Sequence, residues 1–153
     1  MVRYAYRILL VDDDTASLDV LGEVLNRDGY EIFPAVNGHE AFKIIQEDSI
    51  DLSILDYDLP DTTGLELLQQ IKPMHPGMPV IIMSGNPSRN IRFDVFEAGA
   101  YTFIPKPIDL NQFRQYVAHA LDFKQQWTSR SQTSSHTIQI RKSIFFRWIR
   151  RTK

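Results

Sequence analysis

Asp12, Asp13, Asp56, Ser84 and Lys106 each follow, directly or within a residue or two, a short aliphatic run: residues 8–11, 52–55, 80–83 and 103–105. Runs of this kind read as buried strands, and open α/β sheets place their ligands beyond the carboxyl ends of the strands. Three carboxylates, a hydroxyl and an amine gathered at one such edge suit a divalent cation together with a phosphoryl group.

The chemistry of each type supports that pairing. A hard dication such as magnesium takes oxygen ligands, one or two carboxylates with several waters retained. Adjacent Asp12 and Asp13 can supply one direct and one water-mediated carboxylate. Asp56 completes a patch of negative charge that is unfavourable without a cation. A carboxylate can also attack phosphorus to form an aspartyl phosphate, and the transferring oxygens then need fixed cations. Lys106 fits that need, and Ser84 offers a donor. Taken singly, each of these residues is also an ordinary turn, cap or solvated residue. Their joint occurrence, in order at four strand ends, is what points to a site. Asp14 reads as the cap of the first helix, and Asp58 and Asp61 as solvated loop residues.

The elements that must position these groups alternate regularly. Strands are expected at about 6–11, 30–35, 51–55, 80–83 and 101–104. Between them run helices with Leu18, Leu21 and Leu25 on one stripe, then Ala41, Ile44 and Ile45, then Leu67, Leu68 and Ile71. The fourth helix carries Ile91, Val95 and Phe96, and the last Leu110, Phe113, Val117 and Leu121. Asn37 with Glu40, Thr63 with Glu66, and Asp109 with Gln112 read as N-terminal caps. Gly29 stops the first helix. Asn86 and Pro87 read as cap and first position of the fourth. Pro73, Pro76 and Pro79 forbid helix ahead of the fourth strand. Alternating strands and helices imply a doubly wound α/β domain, its parallel sheet covered on both faces.

Composition sets the outer limits. The chain has 153 residues, 43% of them apolar and 24% charged, enough for one packed domain and a short appendage. It has no cysteine, which excludes disulfides, thiolate zinc sites and cysteine nucleophiles. No apolar run reaches the roughly 18 residues of a membrane span. The first residues lack a signal-peptide core, so a cytoplasmic protein is expected. The net charge of −2 conceals two parts: residues 1–123 hold all 19 acids and 9 of the 17 Lys and Arg, while residues 124–153 hold the other 8 and no acid. A body at −10 and a segment at +8 are treated separately. The division expected is 1–123 for the domain, 124–137 for a polar linker and 138–153 for a basic aromatic segment. That last segment joins Ile140, Ile144 and Trp148 at helical spacing to Arg141, Lys142, Arg147, Arg150, Arg151 and Lys153.

Four motifs together resemble the receiver domain of two-component response regulators, the chemotaxis-regulator-like family. They are Ile8-Leu9-Leu10-Val11-Asp12-Asp13-Asp14, Leu55-Asp56-Tyr57-Asp58-Leu59-Pro60-Asp61-Thr62-Thr63-Gly64-Leu65-Glu66, Val80-Ile81-Ile82-Met83-Ser84-Gly85, and Phe103-Ile104-Pro105-Lys106-Pro107-Ile108-Asp109. The match covers about residues 5–123. It implies a flavodoxin-like (βα)5 domain with strand order 2-1-3-4-5. It further implies that Asp56 is the phosphoacceptor, fed by a sensor histidine kinase or phosphotransfer protein. Asp12, Asp13, Asp56 and the backbone carbonyl of Asp58 would then hold Mg2+. Ser84 and Lys106 would bind the phosphoryl group, Phe103 would be the switch aromatic, and Lys106–Pro107 a cis peptide. Such a domain is no enzyme in the usual sense: it signals by changing the surface of the fourth helix, fifth strand and fifth helix, roughly residues 87–121, and a receiver homodimer is one expected form.

Other readings start from the same residues. Asp56-Tyr57-Asp58 resembles the Asp-x-Asp opening of haloacid-dehalogenase-type phosphatases, although Leu59 stands where that family has Thr or Val. It would leave Asp12–Asp14 and Lys106-Pro107 unexplained. A stand-alone protein-interaction module is another. The basic segment reads as a solvated appendage, as a contact for an anionic membrane or protein surface, or as a nucleic-acid contact without a base-reading fold.

Overall fold

The computed structural model describes residues 4–86 and 88–131. Its order is β1 (Arg7–Val11), α1 (Thr15–Arg27), β2 (Glu31–Ala35), α2 (Gly38–Glu47), β3 (Leu52–Asp56), α3 (Gly64–Met74), β4 (Val80–Ser84), α4 (Arg89–Glu97), β5 (Thr102–Pro105) and α5 (Leu110–Ser131). All five strands are parallel, in the order β2-β1-β3-β4-β5, the flavodoxin-like arrangement the motifs imply.

Successive residues of a strand point to opposite faces of the sheet, and both faces are apolar here. Leu9, Val11, Leu55, Val80 and Ile82 pack under α2, α3 and α4 with Ala41, Ile45, Leu67, Leu68, Ile71 and Val95. Ile8, Leu10, Ile54, Ile81 and Met83 face the other way, onto Leu18, Leu21 and Leu25 of α1 and Phe113, Val117 and Leu121 of α5. With its interior strands buried on both sides, the sheet leaves only its edges for polar chemistry.

The caps follow the sequence closely. Asp14 accepts from the Ala16 N–H at the start of α1. Asn37 accepts from the Glu40 N–H, and Thr63 and Glu66 form a reciprocal capping box. The Gln112 N–H donates to Asp109. Gly29 ends the α1 region with a φ of 92°, which a residue with a Cβ rarely adopts.

Three details differ from the sequence reading. Pro73 does not keep helix away; it lies inside the last turn of α3. There its missing N–H costs one hydrogen bond near a free end, and His75 N still donates to Ile71 O. The fourth helix starts at Arg89 with Ser88 as its cap, the hydroxyl accepting from the Ile91 N–H, and Pro87 lies outside the described residues. Finally, the stretch from Lys124, expected to begin a linker, continues α5 to Ser131. Two contacts accompany that extension. The Lys124 ammonium donates to the buried Asp51 carboxylate at the start of β3. The Trp127 indole lies so close to Gly77 that a Cβ there would sit 2.5 Å from its Nε1. The rest of the expected linker and the basic aromatic segment lie outside the described residues.

Candidate functional site

β1, β3 and β5 end at the same edge of the sheet, and their turns deliver the predicted charges to one place. The register Val11↔Leu55 puts Asp12 beside Asp56. One carboxylate oxygen from each of Asp12, Asp13 and Asp56 lies within 4.8 Å of the others. Asp12 and Asp56 are buried, at 1% and 5% exposure, while Asp13 is open to solvent. Among the described residues this is the one group of three acids or histidines close enough to share an ion.

Lys106 reaches the pair from the end of β5. Its Nζ lies 3.0 Å from Asp12 Oδ2 and 3.0 Å from Asp56 Oδ2. The Lys106–Pro107 peptide is cis, as the motif implies. The Lys106 backbone N–H donates to Ser84 O at 2.8 Å, so β4 and β5 stay paired up to the site. One ammonium thus bridges two buried carboxylates, and the cluster retains net negative charge with Asp13 at its open side.

The electrostatics follow from this crowding. Burial pushes the Asp56 carboxyl up to about 6; the Lys106 hydrogen bond opposes that rise, and the Asp12 charge adds to it. Burial works against the Lys106 ammonium too, but the hydrogen bonds to Asp12 and Asp56 outweigh it and move its pKa upward. The donor set is all oxygen and half open, which fits a hard dication keeping several waters.

The loops around the cluster are held by backbone groups. Asp14 N donates to Asp12 Oδ1 at 2.9 Å, and Asp58 N to Asp56 Oδ1 at 3.3 Å. Asp58 itself is exposed. Gly64 opens α3 directly against the acceptor strand: its N–H donates to Tyr57 O at 2.7 Å, and a Cβ would fall 2.6 Å from Asp56 O. Asp61 is more than a solvated loop residue. Its carboxylate accepts from Gly38 N at 2.8 Å and His39 N at 2.9 Å, and those bonds hold its pKa down. It ties the β3–α3 loop to the start of α2. No local pattern announces that role, because its partners lie 22 and 23 residues away.

The remaining predicted residues sit nearby but are engaged elsewhere. Ser84 is fully buried; its hydroxyl accepts from Asn86 N at 3.0 Å and donates to Asn86 O at 3.3 Å. Asn86, which the sequence marks as a helix cap, is instead the partner of Ser84, in keeping with a Ser two residues before an Asn in a turn. Phe103 is 7% exposed, packed in the core beneath α4, with the Arg92 guanidinium 5.0 Å from its ring centroid.

Known proteins resemble this chain in sequence and in fold. Residues 8–118 match the family model described as response regulator receiver domain. The chain is 39% identical over 114 residues to the DNA-binding transcriptional regulator NtrC of Bradyrhizobium sp. (strain RP501 Parasponia), covering 74% of this chain and 24% of that protein. It is 35% identical over 118 residues to sporulation initiation phosphotransferase F of Bacillus subtilis (strain 168), covering 77% of this chain and 95% of that one. The chain thus spans about a quarter of the length of such transcriptional regulators and nearly all of the phosphotransferase. A solved CheY-like receiver domain protein from Methanospirillum hungatei JF-1 superposes with a TM-score of 0.78 at 33% identity, over 80% of this chain and 98% of that chain.

Proposed function

The chain belongs to the response regulator receiver domain family, and from that premise we propose that Asp56 is the residue that takes the phosphoryl group. The observation that carries this reading is the bracket around its carboxylate. Lys106 stands 3.0 Å away on one side, and the Asp12 and Asp13 carboxylates lie within 4.8 Å. Receiver domains are phosphorylated by histidine kinases or phosphotransfer proteins. In that transfer an Asp56 oxygen–phosphorus bond forms as the phosphorus–nitrogen bond to the donor histidine breaks.

Each neighbour has a distinct part. Asp12, Asp13, Asp56 and the Asp58 carbonyl would hold Mg2+, whose contribution when bound is positive charge against the phosphoryl oxygens. Lys106 opposes the burial that favours the neutral Asp56 carboxyl, and is placed to follow the charge onto the phosphoryl group. Ser84 must exchange its Asn86 partner for a phosphoryl oxygen, and that exchange, with Phe103 behind it, would bias the α4–β5–α5 surface between two states. The geometry favours the phosphatase reading less. Its second Asp would act as acid or base, yet Asp58 is exposed and touches Asp56 through its backbone N–H.

Incubation with acetyl phosphate and magnesium tests the assignment. One phosphoryl adduct per chain is expected, absent from Asp56→Asn; an adduct that persists in Asp56→Asn would sink it. Many turnovers of a simple phosphate ester would instead revive the phosphatase.

A further inference from the structure

Two exposed large apolar side chains, Val20 at 52% exposure and Leu110 at 40%, line one open groove of about 460 Å3. It lies between the first turns of α1 and the loop from β5 into α5, over Ile108. Asp12, Asp14 and Lys106 line it as well, so it shares two residues with the acidic cluster. Any donor approaching Asp56 passes its rim.

The groove is acidic as well as apolar. Lys106 is already divided between Asp12 and Asp56. Asp14 is exposed and accepts from Ala16 N and from the Ser17 hydroxyl of its own turn. Asp13 beside it is exposed too. Among the described residues neither forms an ion pair with a Lys or Arg, in contrast to Asp28 with Arg114 and Asp51 with Lys124. An occupant of this surface must bring cations and apolar groups together.

One segment of the chain has that chemistry. Residues 138–153 contain six Lys and Arg, seven Ile, Phe and Trp, and no acid. They lie outside the described residues, so only their types and their distance along the chain enter here. The groove sits at Leu110, the first residue of α5, and the described chain ends at Ser131, the last. Lys124 on Asp51 and Trp127 against Gly77 hold that far end at the sheet edge opposite Asp56. The 22 residues of α5 span about 33 Å, and residues 132–148 can span up to roughly 55 Å. Running back along α5, the segment reaches the groove. Its tether keeps it there at an effective concentration on the order of millimolar.

We propose that residues 138–153 dock in this groove of their own chain, with apolar side chains on Val20 and Leu110 and cations against Asp13 and Asp14, and so shield the Asp56 cluster from a phosphoryl donor. The docking needs no donor; the shielding rests on the phosphoacceptor reading.

The chain has no cysteine, so a pair can be introduced and joined by a short bis-maleimide. In the full chain, Ala16→Cys/Ser143→Cys places one thiol at the groove and one in the segment. Met74→Cys/Ser143→Cys is the control, with its first thiol exposed on α3, across the sheet. Expected is a cross-link within one chain for the first pair, several times the yield of the control, and falling as salt rises. Adding Val20→Lys, or Arg147→Glu/Arg150→Glu, should lower that yield; Val20 is exposed on α1, so the fold is kept. Without the cysteines, both variants should take phosphoryl from acetyl phosphate at least about threefold faster than the parent. Equal yields from the two pairs, or yields that neither variant lowers, would overturn the docking. Cross-links only between chains would do the same, by placing a second copy in the groove. Equal labelling rates in parent and variants would overturn the shielding. A chain that cross-links as expected but takes no phosphoryl on Asp56 would refute the phosphoacceptor reading and leave the docking in place.

Discussion

The Ser84 hydroxyl belongs to Asn86: it accepts from the Asn86 N–H at 3.0 Å and donates to the Asn86 carbonyl at 3.3 Å. The group expected to read the phosphoryl state is therefore committed to its own loop before any phosphoryl arrives. Its release, and the motion of the loop that holds it, would be one event. Removing the hydroxyl should uncouple the two. Ser84→Ala should still accept phosphoryl from acetyl phosphate, while the phosphorylation-dependent change in amide exchange across residues 89–105 shrinks. A full-sized change in the variant would show that Ser84 does not transmit. The stability loss should be about 1 kcal/mol, from orphaning the Asn86 N–H.

Asp56 gives a pH prediction with a definite sign. Its folded pKa is raised to about 6 from 3.8, so ionising it costs the folded state. Its contribution to stability is most favourable below pH 4, where the group is protonated folded or unfolded, and is lost as pH rises through 6. Neutral Asn removes that penalty. In chelator, Asp56→Asn should be more stable than the parent by up to about 3 kcal/mol at pH 7.5, with the gap closing near pH 4. Thermal melts across that range check it; a gap independent of pH would contradict the electrostatic account.

Lys106 should show the opposite balance. Removing its ammonium leaves the Asp12 and Asp56 carboxylates, 1% and 5% exposed, with no cation 3.0 Å away. Lys106→Met should cost about 3 kcal/mol in metal-free protein at neutral pH. Added magnesium should recover more stability in this variant than in the parent. Calorimetric titration with magnesium and parallel melts would reveal it, and equal magnesium effects would argue against the shared charge.

Gly77 and Trp127 allow a check on α5. A Cβ at position 77 would press on the indole at 2.5 Å. Gly77→Ala should therefore displace Trp127, shift tryptophan emission to the red and speed amide exchange at residues 124–131. Acetyl phosphate labelling at the far edge of the sheet should be untouched. Unchanged exchange would mean that the indole yields without loosening the helix.

Much of this protein is decided locally, and that part is legible in the sequence. Buried strands announce themselves as aliphatic runs, and caps such as Asn37, Thr63 and Asp109 act within three residues of themselves. Asp12, Asp56 and Lys106 declare their site because a parallel sheet brings its carboxyl ends to one edge whatever lies between. Relations between distant residues had to wait for the fold. Asp61 bonds to α2 across 23 residues, and Lys124 meets Asp51 across 73, turning an expected linker into the end of a helix. Pro73 stays helical because it stands at a terminus, where one missing hydrogen bond is tolerated. Types and spacing alone determined which groups could take a phosphoryl and a metal. Tertiary structure decided how they are held: Lys106 between two buried acids, Ser84 turned to Asn86, and α5 fastened to the opposite edge, because burial and long-range contact arise only once the strands lie side by side.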